Sequence, residues 1–273
     1  MNNMIDMLSE TISYFHKLNI SKPGVGIVLG SGLGNFKDEL DIEVEVDYDQ
    51  IPHFPVATVE GHHGKLIFGK LNGVQVVAMA GRFHFYEGYT AQEVVYPIRV
   101  MKQLGIEALL LTNAAGGVKP GMKVGDLMII HDHISLGIIN PLIGKNIDSL
   151  GGRFPDMSEP YKRDFIEKAK NIAVSLGLPV SEGVYFGVTG PTFETRAEYK
   201  MIQVLGGDAV GMSTVQEVIA ANHMGLPVFA LSVITDLGIR DEENIITHEE
   251  VLLAAKEAEP KVSALIREMV KVV

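Results

Sequence analysis

The chain has 273 residues, 47% of them hydrophobic and 21% charged, a balance that is ordinary for a soluble globular enzyme. The formal net charge of −11 argues against broad binding to nucleic acid or to anionic membranes, so any bound anion must be small and held locally. The absence of cysteine excludes disulfides, thiolate metal ligands and cysteine nucleophiles.

Segments typical of helices and of strands alternate along the chain, beginning with apolar residues at helical spacing between Met4 and Leu18. Asp6, Glu10 and Lys17 interrupt this first helix, so we expect neither an export signal nor a membrane span, and a cytoplasmic protein. Strands are predicted at residues 24–29, 42–47, 66–71, 74–80, 108–112, 126–131, 184–189 and 228–235. Further helices are predicted at about residues 90–104, 160–176, 194–205, 214–224 and 248–272.

The connections between these elements indicate a mixed sheet. Asn72-Gly73 lies between two predicted strands and is a strong hairpin signal, whereas helices separate most other strands. Pro260 is expected to kink the last helix or to split it in two. Residues 140–160 form the longest irregular stretch, which is typical of functional or subunit-contacting segments. We therefore predict one α/β domain over residues 1–273, with a central mixed β-sheet flanked by helices.

The segment after the fourth predicted strand carries a cluster of polar side chains. If the two-residue period of the strand continues, Arg82, His84 and Tyr86 point one way while Phe83 and Phe85 point the other way into the core. A guanidinium, an imidazole and a phenol side by side suit a phosphate or a carboxylate. A strand end with polar residues facing water is the plain alternative.

A glycine-rich loop, Gly30-Ser31-Gly32-Leu33-Gly34, follows the first predicted strand. Its amides and the Ser31 hydroxyl favour a phosphate loop, with a tight structural turn as the alternative. A dinucleotide site is disfavoured because the spacing is G-x-G-x-G and a charged turn follows.

Histidines occur in two close pairs, but neither pair predicts a metal site. His62 and His63 are adjacent and would point to opposite sides of an extended chain, and no third ligand stands near His131 and His133. We expect instead that His62 or His63 lines an anion pocket.

Glycine, hydroxyl, amide or acidic residues follow several other predicted strands, where ligands gather in open α/β sheets. Phe193 could stack on a flat ring, and Glu194 could accept hydrogen bonds from the N–H groups of that ring. Helix capping is the plain alternative for the segment that contains these two residues and for the segment that begins at Gly211. The segments are Asn113-Ala114-Ala115-Gly116-Gly117, Gly190-Pro191-Thr192-Phe193-Glu194-Thr195, Gly211-Met212-Ser213-Thr214 and Thr235-Asp236.

Together these motifs closely resemble those of the trimeric purine nucleoside phosphorylases of the nucleoside phosphorylase superfamily, over essentially the whole chain. The resemblance implies that family's fold, a homotrimer, and reversible phosphorolysis of purine ribonucleosides or 2′-deoxyribonucleosides to a free base and (deoxy)ribose 1-phosphate. It implies no metal and no organic cofactor, inorganic phosphate being a co-substrate. The partners implied are a purine nucleoside, phosphate and further copies of the chain, with no nucleic acid and no membrane.

The resemblance also assigns the site residues, with His84, Glu194 and Asp236 in the catalytic role. Phosphate should lie among Ser31, His62, Arg82, His84, the amide of Ala114, and Ser213. The ribose should contact Tyr86, Met212, His248 and, from a neighbouring subunit, Phe154. The base should meet Phe193, Glu194 and Asp236.

One residue departs from the family pattern. Members that cleave guanosine and inosine usually have Asn where this chain has Asp236, and the related methylthioadenosine phosphorylases have Asp there but lack a glutamate like Glu194. We predict a 6-oxopurine enzyme, for inosine and guanosine, with some adenosine activity. The alternative is a 6-aminopurine phosphorylase of the methylthioadenosine type. Two alternative functions of other classes are a nucleotide-binding oxidoreductase and a non-catalytic nucleoside-binding protein.

Overall fold

The fold was taken from a computed structural model, which describes residues 4–30, 32–56, 64–239 and 246–273. The strands in this part of the chain are β1 Val25–Leu29, β2 Asp41–Asp47, β3 Lys65–Leu71, β4 Val74–Ala80, β5 Ala108–Gly117, β6 Leu127–Ile134, β7 Val180–Gly187, β8 Ala209–Gly211 and β9 Val228–Leu237. The α-helices are α1 Met4–His16, α2 Ala91–Val94, α3 Tyr96–Leu104, α4 Arg163–Leu176, α5 Arg196–Val204, α6 Val215–His223 and α7 His248–Met269. Short 3₁₀-helices lie at Gly34–Glu39, Tyr48–Gln50 and Phe85–Glu87.

The strands form one mixed sheet in the order β2-β3-β4-β1-β5-β8-β7-β6-β9. Strand β9 also pairs with β5, so the last five strands of this order close on themselves. Every residue of β1 is buried, as expected for an apolar strand between two parallel neighbours, β4 and β5. The predicted mixed α/β architecture is therefore confirmed.

The hairpin prediction is also confirmed, since β3 and β4 pair antiparallel and the turn residues Asn72 and Gly73 both have positive φ. After β1 the chain enters a 3₁₀-helix and then β2, which pairs antiparallel with β3. The first glycine loop thus does not open the crossover helix that a dinucleotide site needs.

Several element boundaries differ from the predictions. The helix predicted at 90–104 is two helices, because Pro97 lacks an N–H and its ring would clash with the carbonyl of the preceding turn. Strand β8 was not predicted, and β5 continues past Thr112 to Gly117. Helix α7 includes Pro260 without being split, since buried residues on both sides of the proline hold it against the core.

The irregular stretch is confirmed, because the chain has neither helix nor strand between β6 and α4. No helix in the described residues combines the length and the apolar character that crossing a membrane requires.

Candidate functional site

A cavity of about 330 Å³ lies where the chain leaves β4, β5, β8 and β9, beside the first turn of α7. It brings together most of the residues that the resemblance assigned, from segments far apart in sequence. The assigned residues that line it are Arg82, His84, Tyr86, Ala114, Phe193, Glu194, Met212, Ser213, Asp236 and His248. Ser31 and His62 lie outside the described residues.

The side chains of Arg82, His84 and Tyr86 lie together as predicted, but the cause is not a continued strand period. Strand β4 ends at Ala80, Gly81 takes a φ of 111°, and residues 85–87 form a 3₁₀-helix that redirects the chain. The ring of Tyr86 therefore stacks on His84, with centroids 4.7 Å apart, instead of following it along a strand. Phe83 is buried as expected, whereas Phe85 is only half-buried.

The guanidinium of Arg82 is held in a fixed plane beneath the cavity. Its Nε and Nη2 donate to Oε1 and Oε2 of Glu217, at 3.0 and 2.9 Å. Its Nη1 donates to the carbonyl of Thr112 at 2.8 Å and lies 3.4 Å from Oγ of Ser213. Both members of the ion pair are almost fully buried, so the pair is a rigid feature of the site.

His84 is held by Glu87, whose Oε1 accepts from the His84 backbone N–H at 2.8 Å and lies 3.0 Å from Nδ1. Burial lowers the pKa of His84 below its usual value, although the bond to Glu87 opposes this shift. The ring is therefore neutral at pH 7, with Nδ1–H donating to Glu87 and Nε2 carrying the lone pair. Burial also raises the pKa of Tyr86 to about 12, so its phenol remains a hydrogen-bond donor.

Ser213 is presented by a strained turn that leads into α6. Thr214 has φ 70° and ψ −53°, and the N–H of Val215 donates to the carbonyl of Ser213 at 2.7 Å, which together define a classic-type γ-turn. Nδ2 of Asn113 donates to Oγ1 of Thr214 at 2.9 Å and ties this turn to β5. Strain of this kind persists only where the surroundings enforce it, and it is typical of functional sites.

Two carboxyl groups occupy the opposite end of the cavity. Asp236 is buried, accepts from Oγ1 of Thr235 at 3.2 Å, and is accommodated because residue 116 is glycine, where a β-carbon would lie 2.9 Å from Oδ2. Burial raises the pKa of Glu194, and the nearby Asp236 adds a smaller effect in the same direction. Phe193 lies on the same wall, so this end combines a flat ring with hydrogen-bonding carboxyl groups.

The loop after β1 rests directly on α7. A β-carbon at Gly32 would lie 2.5 Å from that of Ala255, and the N–H of Phe36 donates to Oε1 of Glu259 at 3.0 Å. The loop is also anchored to β5, where Gly30 N–H donates to Oγ1 of Thr112 at 2.9 Å. The glycine loop and the helix that begins with His248 are thus in contact.

Phe154 lies away from the cavity of its own chain. Its side chain is 91% exposed, and it lines a separate surface cavity with Leu142 and Ile143. The ring of Phe154 therefore lies on the surface of the chain, outside the cavity that contains the other assigned residues.

Sequence reasoning missed the residues that hold the site together, chiefly Glu217 and Thr112. The available signal was Glu217 itself, one acidic residue in the otherwise uncharged run from Val215 to Asn222. No group of three or more potential metal ligands occurs in the described part of the chain.

Comparisons with known proteins show a family and several similar chains. A family model described as the phosphorylase superfamily matches residues 24–271. Purine nucleoside phosphorylase 1 of Bacillus subtilis is 49% identical and aligns over 97% of this chain and 96% of its own length. The structure of Schistosoma mansoni purine nucleoside phosphorylase in complex with adenosine is 40% identical, with a TM-score of 0.93 over 98% of both chains. A schistosoma purine nucleoside phosphorylase in complex with hypoxanthine is 38% identical, with a TM-score of 0.94 over 100% of this chain and 99% of that chain.

Proposed function

This chain belongs to the phosphorylase superfamily and catalyses the phosphorolysis of purine nucleosides, and from that premise we propose which residues bind each reactant and which bases are accepted. The observation that carries the proposal is the cavity itself. It has an anion-binding edge formed by Arg82, His84 and Ser213 at one end, and Phe193 with two carboxyl groups at the other.

Phosphate binds at the Arg82 end, with Ser213 and the amide of Ala114 as further donors, and with Ser31 and His62 completing the site. An oxygen of phosphate attacks C1′ of the ribose while the C1′–N9 bond breaks and its electron pair goes to the purine. Positive charge develops on the sugar next to the bound anion, so correct positioning of phosphate supplies much of the catalysis. His84 lies beside the anion, and its neutral Nε2 can accept the hydrogen of monohydrogen phosphate.

The ribose lies between the two ends, in contact with Tyr86, Met212 and His248. The purine stacks on Phe193, with Glu194 accepting from its N1–H and Asp236 facing N7 and the 6-substituent. A protonated Asp236 donates to N7 as negative charge builds on the leaving base, which lowers the barrier as an oxyanion hole does. The support for this form is that Asp236 is buried and shares the cavity with a second carboxyl group, that of Glu194.

We propose a 6-oxopurine enzyme, for inosine and guanosine, that also cleaves adenosine. Glu194 favours 6-oxopurines because these carry an N1–H, whereas an ionised Asp236 can accept from the amino group of adenine. A methylthioadenosine-type enzyme is the second candidate, and Asp236 is the residue that favours it.

The test is release of free base from inosine, guanosine, adenosine and methylthioadenosine, with and without phosphate. We expect release only with phosphate, fastest for the 6-oxopurine nucleosides and measurable for adenosine. A marked preference for methylthioadenosine would select the second candidate. Turnover that does not depend on phosphate would contradict the proposed placement of phosphate in the site.

We also propose a homotrimer in which Phe154 completes the ribose site of a neighbouring subunit. Its support is an exposed apolar surface: Leu136, Phe193, Met201 and Leu205 line one surface cavity, and Phe154 lines another. The displacement at C1′ needs phosphate alone as co-substrate, so we propose no organic cofactor or metal. The cysteine-free composition fits the cytoplasm as the place of action.

A further inference from the structure

The buried pair of Arg82 and Glu217 contains a carboxylate, that of Glu217, to which the proposed chemistry gives no role. The carboxylate meets the guanidinium through two bonds, at 3.0 and 2.9 Å, and the two side chains are 2% and 4% exposed. Burial of such a pair is costly, and an apolar pair of the same size is often as stable or more stable. Stability alone therefore gives little reason for an ion pair at this place.

The pair fixes which edge of the guanidinium meets the phosphate subsite. The guanidinium donates twice to Glu217 and once to the carbonyl of Thr112, and its Nη1 also lies within hydrogen-bond distance of the Ser213 hydroxyl. The side of Nη1, 3.4 Å from the Ser213 hydroxyl, then lies next to the other predicted phosphate donor. A guanidinium without Glu217 would keep its charge but lose the two contacts that set its plane.

Glu217 also belongs to the segment that carries Ser213. It lies one helical turn after Ser213, just beyond the γ-turn at Thr214 that starts α6. The first turn of α6 thus brings a phosphate donor and the anchor of Arg82 to the site as one unit. This arrangement couples the positions of two donors that come from different parts of the sequence.

The charge of the pair has a second consequence. Glu217 compensates the positive charge of Arg82, and His84 beside it is neutral. Phosphate is then held mainly by oriented hydrogen bonds, so its negative charge remains available to the positive charge that develops on the ribose. An arginine without a carboxylate partner would instead neutralise the negative charge of phosphate in the ground state.

We propose that Glu217 is a positioning residue for phosphate, acting through Arg82. The inference rests on the proposed placement of phosphate beside Arg82. It concerns a residue that contacts neither phosphate nor nucleoside, and its effect therefore requires the guanidinium to be present.

The test is a double-mutant cycle with Glu217→Gln, Arg82→Ala and the double variant, in which KM for phosphate, KM for inosine and kcat are measured. Each single variant is expected to raise the KM for phosphate about tenfold or more, the effect of losing an oriented charge-assisted contact, with the KM for inosine within about twofold. The double variant should resemble Arg82→Ala alone, because Glu217 has no separate route to phosphate. Additive effects in the double variant, or an unchanged KM for phosphate in Glu217→Gln, would overturn the proposal.

The matched control is Gln216→Leu, on the same helix, where Nε2 donates to the carbonyl of Ile139 instead of to Arg82. It should lower the melting temperature while leaving the KM for phosphate within about twofold. If Glu217→Gln does not fold, Glu217→Asp takes its place, since the shorter carboxylate keeps the charge but not both contacts. Its KM for phosphate should still rise by severalfold, and a wild-type value would contradict the proposal. Failure of the wild type itself to require phosphate would instead contradict the proposed function.

Discussion

Asp236 and Glu194 present two carboxyl groups to one end of a small cavity, and in the proposed function their protonation decides which purines can bind. An ionised carboxylate only accepts hydrogen bonds, whereas N7 and O6 of hypoxanthine are both acceptors. An ionised Asp236 would therefore oppose two lone pairs in a buried place, which is costly. A protonated Asp236 suits the 6-oxopurines, and an ionised one suits adenine.

We therefore predict that Asp236→Asn lowers adenosine cleavage and leaves inosine cleavage equal or faster, because the amide can donate to N7 and O6. The ratio of kcat/KM for adenosine to that for inosine should fall about fivefold, the value of one hydrogen bond. The measurement is kcat/KM for both nucleosides between pH 6 and 8. A ratio that stays within about twofold at every pH contradicts this role. Glu194→Gln is the control, since it should instead lower kcat/KM for inosine and guanosine.

His133 provides a second prediction at the level of one residue, away from the cavity. Burial lowers its pKa to about 4, and its Nδ1 lies 3.0 Å from the hydroxyl of Tyr161, which can donate to the neutral ring. The native ring binds fewer protons than the unfolded chain, whose histidine titrates near 6.5. Stability from this residue is therefore complete above pH 6.5 and is lost as the pH falls towards 4.

Between pH 7.5 and 4.5 the free energy of unfolding should fall by about 2–3 kcal/mol more in the wild type than in His133→Gln, which retains an acceptor for Tyr161. Urea unfolding at the two pH values measures this difference. Burial also lowers the pKa values of His84 and His223. These two residues change the free energy of unfolding of both proteins by the same amount, so their contributions cancel in the comparison. Equal pH dependence in the two proteins would show that His133 is not buried in the neutral form.

At the scale of elements, the γ-turn at the start of α6 allows a sharp test of backbone strain. Thr214→Gly and Thr214→Ala both remove the hydroxyl that accepts from Asn113, but glycine adopts positive φ without a steric penalty. We expect the glycine variant to be more stable than the alanine variant by about 1–2 kcal/mol, in spite of glycine's greater freedom in the unfolded chain. Thermal or urea unfolding of both variants gives the difference, with Thr214→Ser as the control that keeps the hydroxyl. An alanine variant as stable as the glycine variant would mean that the turn is not strained.

The elements that sequence reasoning found are those whose signals are local. The apolar run of β1 and the Asn72-Gly73 turn carry their own information, and both formed as predicted. Strand β8 has only three residues, and its pairing partners β5 and β7 come from distant parts of the chain. Its existence is decided by tertiary contacts that a sequence window does not contain.

The residues of the site also divide into those with a local signal in the sequence and those without one. The polar residues at strand ends could be found because their chemistry is visible in the sequence, and the cavity brings most of them together. The anchoring of Arg82 by Glu217 could not be found, because 135 positions separate the two residues. The expected strand period through Tyr86 was wrong because Gly81 and the following 3₁₀-helix turn the chain.

At the scale of the whole molecule, the exposed Phe154 makes assembly part of the proposed activity. Subunits with Phe154→Ala keep their own cavity but contribute no ring to a neighbour, whereas subunits with His84→Ala have a defective cavity but an intact Phe154. We expect each variant alone to be weakly active. After mixing and reassembly, activity should exceed the sum of the two parents, because some sites combine an intact cavity with an intact ring.

The measurement is phosphorolysis of inosine across mixing ratios, with molecular mass determined by light scattering. Activity that follows simple dilution of either parent at every ratio contradicts a shared site. Mixing two batches of the same variant is the control for changes caused by reassembly alone.

The contact between Gly32 and Ala255 has a thermodynamic consequence for the two substrates. The glycine loop belongs to the proposed phosphate site and α7 begins with His248 of the proposed ribose site, so the close packing of Gly32 on Ala255 connects the two proposed sites. Affinities linked in this way obey reciprocity: the factor by which phosphate changes the dissociation constant of a nucleoside equals the factor by which the nucleoside changes that of phosphate. In the proposed arrangement this contact links the phosphate and ribose sites, and a change at residue 32 or 255 that alters the coupling between them alters it by the same factor in both directions.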